Sequence, residues 1–168
     1  VSGFELKPLS REAVPAALEK AHRYRLLNEP AEAESICRDI LEIDPDHQEA
    51  LVTLLLALTD QFEDHLGSAG EQARQVLARI RDEYTRTYHT GIACERRAKA
   101  HVKRGGPRSK HLAYDWLRQA MEMYERAAAI RPPGNDDAIL RWNTCVRILR
   151  SKPDLVPDLQ AETHHLME

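Results

Sequence analysis

Two Glu-x-x-His pairs are the first residues whose spacing suggests chemistry: Glu19 with His22, and Glu162 with His165. On a helix each pair sets a carboxylate and an imidazole one turn apart, the arrangement from which helical bundles build paired metal sites. With 16 glutamates and 8 histidines in 168 residues, about 0.8 such pairs are expected by chance, so two carry little weight. Further bridging glutamates are not obvious, and no HExxH, Cys/His zinc spacing or calcium loop occurs. No cofactor is therefore expected, and a metal-binding helical bundle stands only as an alternative.

A second candidate is a run of cations. Arg96, Arg97, Lys99, Lys103, Arg104, Arg108 and Lys110 crowd into residues 95–110, with Glu95 the one acid among them. Arg141, Arg147 and Arg150 extend the basic character further along the chain. Such clustering can neutralise phosphates, with affinity falling steeply as salt rises. No aromatics are interleaved for base stacking, which argues against nucleic acid. An acidic protein partner accounts for the cluster equally well. Gly105-Gly106-Pro107 lacks the lysine and hydroxyl of a phosphate loop.

Catalytic chemistry finds little support. There is no GxSxG, and His89, His101 and His111 merely flank the basic run. Cys37, Cys94 and Cys145 are too scattered for a disulfide framework and read as small buried hydrophobes in a reducing compartment. A cytoplasmic, non-enzymatic protein is the expectation. No run of about 18 apolar residues exists, so membrane insertion is not expected. No leader-like opening is visible either.

The elements that would position these residues are helices. Ala, Leu, Glu and Arg dominate, and aromatics make up only 5%. The pattern predicts helices from Ser10, as N-cap, to Leu27, and from Pro30 to Ile43. A third runs from Asp46, capping with Glu49, to Phe62, and is apolar nearly all round at residues 51–58. Gly67 to Gly70 should break the chain before a helix over residues 71–83 carrying Ala73, Leu77 and Ile80. A long helix follows to Arg104, and Gly105 suits its left-handed cap. Another runs from Ser109, as cap, to Ile130. The last starts at Asn135 or Asp136 and presents Ile139, Trp142, Val146 and Leu149. Beyond Lys152-Pro153 the chain is a short helix or a fraying tail.

Charge is uneven: residues 1–64 carry −8 and residues 65–168 carry +5. Acidic and basic ends can pair between copies, which leaves self-association open.

The small–large–core–turn order Ala33, Cys37, Ile40, Pro45 recurs as Ala120, Tyr124, Ala127, Pro132, with steps of 4, 3 and 5 residues. With Ala21 and Tyr24, the stretch Val14 to His47 resembles a tetratricopeptide repeat, and weaker copies follow to about residue 150. Ala17 and Lys20 stand where that family usually has larger apolar residues, so the repeats are degenerate. The resemblance implies an all-α, right-handed helical-repeat solenoid of about three helix pairs plus a closing helix over residues 12–152. An N-terminal extension (1–11) and a tail (153–168) flank it. It further implies a non-catalytic scaffold holding a protein or peptide in a concave groove. Matching groove positions are Leu18, His22, Arg25 and Leu26 in the first repeat, and Glu49, Val52, Leu56 and Asp60 in the second. At the far end they are Arg141, Asn143 and Arg147. In some members the Asn143–Arg147 spacing holds a peptide carboxylate, because an amide and a guanidinium one turn apart can share an oxygen acceptor.

Overall fold

The computed structural model describes residues 3–159, and every regular element among them is helical. After a 3-10 turn at Arg11–Ala13 come α1 (Val14–Leu26), α2 (Pro30–Ile43), α3 (Gln48–Thr59), α4 (Phe62–Leu77), α5 (Glu83–Arg104), α6 (Ser109–Ala129) and α7 (Asp137–Ser151). None is long and apolar enough to cross a membrane. The chain forms two compact units. One holds the residues up to Gln61 together with Gly67–Arg81; the other holds Phe62–Leu66 and the chain from Asp82 onward.

In the first unit α1 and α2 form a hairpin. Its turn works because Asn28 takes φ 59°, a left-handed conformation that asparagine tolerates. Pro30 then opens α2, where its missing N–H costs nothing. Ala33, Cys37 and Ile40 are fully buried on α2, over Val14, Leu18 and Ala21 of α1. α3 buries Ala50, Leu51, Leu54, Leu55, Ala57 and Leu58, which span roughly half its circumference, while Val52 and Leu56, on the side expected to be apolar as well, are only half-buried. Each fully buried leucine contributes roughly 1.5–3 kcal/mol.

Several local expectations are corrected. Ser10 makes no side-chain cap. α3 is capped not by Asp46 but by His47, whose Nδ1 accepts from the Ala50 N–H at 3.1 Å. Gly67 and Gly70 lie inside α4, and the break sits earlier, at His65 (φ −135°, ψ 40°). Burial of Ala69, Ala73 and Val76 along the helix outweighs the cost of about 1 kcal/mol per helical glycine. Val76, not Leu77, joins Ala73 and Ile80 in the core.

In the second unit the long helices α5 and α6 pack along each other, joined through Gly105 (φ 70°) and Gly106 (φ 106°). Ser109 is the first residue of α6 rather than its cap, and its Oγ donates to the Gly106 carbonyl at 3.0 Å. Gly91 is required by close approach: a Cβ there would lie 2.5 Å from Cε1 of Tyr124 and 2.7 Å from Cδ1. The ring of Tyr124 thus occupies the space that any other residue would fill. α7 packs on α6 and is started by Asn135, whose Oδ1 accepts from the Asp137 N–H at 3.0 Å.

α7 buries Ala138 and Cys145, with Arg141 turned inward, whereas Ile139, Trp142, Val146 and Leu149 are only half-buried. The two sets occupy neighbouring stripes about 100° apart, so the inward stripe is the less apolar one. The segment after α7 does not fray where it is described. Leu155 is buried, Lys110 pairs with Asp154 at 2.7 Å, and the Nδ1–H of His111 donates to the Val156 carbonyl at 2.9 Å. Glu162 and His165 lie outside the described residues.

Candidate functional site

α1 and α3 bring most of the predicted groove residues of the first unit onto one face. Arg25 donates to Asp60 through Nε (2.8 Å) and Nη2 (3.3 Å), a two-point pair whose side chains are only 20% and 22% exposed. One turn earlier His22 Nε2 meets Glu49 Oε1 at 3.2 Å. Glu49, Val52 and Leu56 run along one stripe of α3 that ends at Asp60, so the half-buried Val52 and Leu56 lie between the two polar contacts. The result is a surface with an apolar centre and polar ends whose side chains bond each other. Leu26 is 88% exposed at the end of α1. Leu18 is corrected: at 6% exposure it belongs to the core and offers a guest nothing.

The three predicted residues of α7 do not converge. Arg141 turns inward onto Glu95, while Asn143 and Arg147 sit roughly 160° and 120° away around the helix. Asn143 is half-buried and Arg147 exposed, and they share a face one turn apart.

The basic run lies along the C-terminal half of α5, the turn after it and the start of α6. Several of its cations are held by partners on other elements, while Lys99 is paired within its own helix. The Arg97 guanidinium lies 4.8 Å over Trp116 and 5.6 Å from the Phe62 ring. Lys99 pairs with Glu95 at 2.9 Å and Lys103 with Glu63. Arg108 reaches Asp158 at 3.7 Å, and Lys110 bonds Asp154. Arg96 is half-buried and engaged in contacts of its own, and Arg104 is exposed at the C-terminus of α5, where the helix dipole favours a cation. The cations of these ion pairs are exposed, so each is held only weakly.

Glu95 is the residue that sequence reasoning missed. It is 1% exposed, and all four of its lone-pair sites are used. Oε1 accepts from the Tyr124 hydroxyl at 3.3 Å and from the Cys145 thiol at 3.6 Å; Oε2 accepts from Lys99 at 2.9 Å and Arg141 at 3.3 Å. Burial, reinforced by the nearby Glu95, pushes the Tyr124 hydroxyl well above its ordinary range and the Cys145 thiol up to about 12. Burial opposes the charge on Arg141, but its bond to Tyr88 and the pull of Glu95 outweigh it, so its pKa is raised. A signal existed in the sequence: Glu95 stands four residues after Gly91 and three before Ala98, on the stripe that must face a neighbour.

Burial also pushes Cys37 up to about 12 and Cys94 up to about 11, so both stay protonated at neutral pH. Glu19 faces Arg23 at 3.9 Å while His22 is taken by Glu49. Among the described residues no three His, Cys, Asp or Glu side chains converge on a point a metal could occupy. No protein-family model, curated protein or solved structure matches the chain.

Proposed function

We propose that the chain is a non-catalytic binding module, built from tetratricopeptide-like hairpins, that holds a protein or peptide segment on its first-helix faces. One observation carries this: Ala33, Cys37 and Ile40 of α2 and Ala120, Tyr124 and Ala127 of α6 are all fully buried. Both units thus use the same small–large–core register in the second helix of a hairpin, which is what a repeat requires. Right-handed stacking of such pairs belongs to the same proposal. The α1/α3 face supplies a binding surface of suitable character, with Val52 and Leu56 as apolar centre, His22, Glu49, Arg25 and Asp60 as polar rim, and Leu26 beyond. Neutral buried thiols and a saturated buried carboxylate favour a scaffold over an enzyme.

The test is affinity capture from cell extract with the wild-type chain and with Val52→Asp/Leu26→Ser, partners being identified by mass spectrometry. A partner retained by the wild type and lost by the variant, at equal helicity, supports the proposal. Equal recovery by both overturns it.

A further inference from the structure

The second unit holds a cleft of about 290 Å³ at the C-terminal halves of α5 and α7. Its floor is apolar: Ala98 and Leu117 are 1% exposed, with Ile148 beside them and Val102 at the lip. Its rim carries Lys99, Lys103 and Lys152, facing the single carboxylate of Glu63. Glu63 is spent on Lys103, and Lys99 leans on Glu95 beneath the surface. No carboxylate pairs with Lys152 among the described residues; Asp154, which its charge reaches, bonds Lys110 instead.

An apolar pit under an excess of ammonium groups selects its occupant by two criteria. Ligand pockets run from about 300 Å³ upward, so this cleft takes one or two side chains rather than a nucleotide or an organic cofactor. No aromatic ring lines it, so a base has nothing to stack on. Lys99 and Lys103 are one turn apart on α5 and Lys152 directly follows the end of α7, so the cations come from two elements that border the pit. A single carboxylate, as on a fatty acid, serves one side only.

We propose that this cleft binds an acidic peptide segment, a large aliphatic side chain filling the pit while flanking aspartates or glutamates meet Lys152 and Lys103. The proposal rests on the binding-module function above and adds the partner's chemistry and a second point of attachment.

The probe is a random-sequence peptide display library selected on the immobilised full chain. Enriched peptides should carry an aliphatic residue between acids. They should bind Lys103→Glu/Lys152→Glu at least about tenfold more weakly, the lost attraction being replaced by repulsion. Val102→Trp, which closes the lip without changing charge, should weaken them similarly. Added salt should weaken the wild-type complex. Peptides that enrich but bind both cleft variants as tightly as the wild type overturn the cleft while leaving the module standing; loss on Val52→Asp would then place them on the α1/α3 face. Binding of sodium dodecanoate in the cleft, with no acidic peptide enriched, makes the occupant a lipid and overturns the proposal. No enrichment at all counts against the cleft and the module together.

Discussion

Replacing Gly91 by alanine should destabilise the second unit, although the same exchange on an open helix stabilises. The propensity gain is about 1 kcal/mol. Against it stands the Tyr124 ring, whose nearest carbons would lie 2.5 and 2.7 Å from the new methyl. That ring cannot simply swing aside: it is fully buried, its hydroxyl is tied to Glu95 at 3.3 Å, and the Tyr88 ring sits 5.9 Å away. Overpacking of this kind costs about 1–3 kcal/mol, so the net effect is a loss of about 1 kcal/mol. In a chain of this size that lowers Tm by about 2–4 °C. In a Tyr124→Leu background the obstacle is gone, and Gly91→Ala should then stabilise by about 1 kcal/mol. Both tryptophans, Trp116 and Trp142, lie in the second unit, so tryptophan fluorescence during urea unfolding reports on it directly. The sign reversal between backgrounds is the expected result. A rise in the unfolding midpoint on Gly91→Ala in the otherwise wild-type chain would refute the close-approach argument.

Further perturbations have definite outcomes. Arg141→Met should cost about 2 kcal/mol, below the usual penalty for breaking a buried pair because Lys99 remains and Arg141 is itself 34% exposed; adding Glu95→Gln should recover part of that loss in a double-mutant cycle. Arg25→Ala should cost about 1 kcal/mol or less by urea unfolding, with the difference shrinking as salt is added. Cys37, Cys94 and Cys145 are free and buried, so a thiol reagent at pH 8 should modify them slowly in the native chain and rapidly in denaturant. Their folded values of about 12, 11 and 12 lie above the ordinary 9.0, so the folded state holds these protons longer than the unfolded chain does. The stability they confer is complete below about pH 9 and is lost as pH rises from there toward 11–12. Urea midpoints at pH 8 and pH 10 should show that fall, and a triple Cys→Ala chain should show less of it.

The helices were legible because burial imposes a period of 3.6 residues, and both buried triads fall where that period puts them. Helix starts were not, because the capping position depends on backbone angles that composition does not encode: His47 rather than Asp46 caps α3, and Ser109 is already inside α6, which has no side-chain cap. On α1 the resemblance placed Leu18 at the groove surface, whereas the inward stripe of the helix, with Val14 and Ala21, includes it. The partners of the basic run were hidden for a different reason. Local density of lysine and arginine is visible in sequence, whereas their contacts with Glu63, Trp116, Asp154 and Asp158 depend on which distant elements come alongside.

Glu95 also bears on how the second unit comes together. Its side chain is met by α5 through Lys99, by α6 through Tyr124, and by α7 through Arg141 and Cys145. A half-built unit of α5 and α6 alone would enclose an anion with two of its four donors missing, and water would enter to solvate it. α7 completes an interior that α5 and α6 alone cannot close. Cutting the chain in the turn at residues 131–136 should therefore leave α5 and α6 without a stable fold of their own, which urea unfolding followed by tryptophan fluorescence of Trp116 would check.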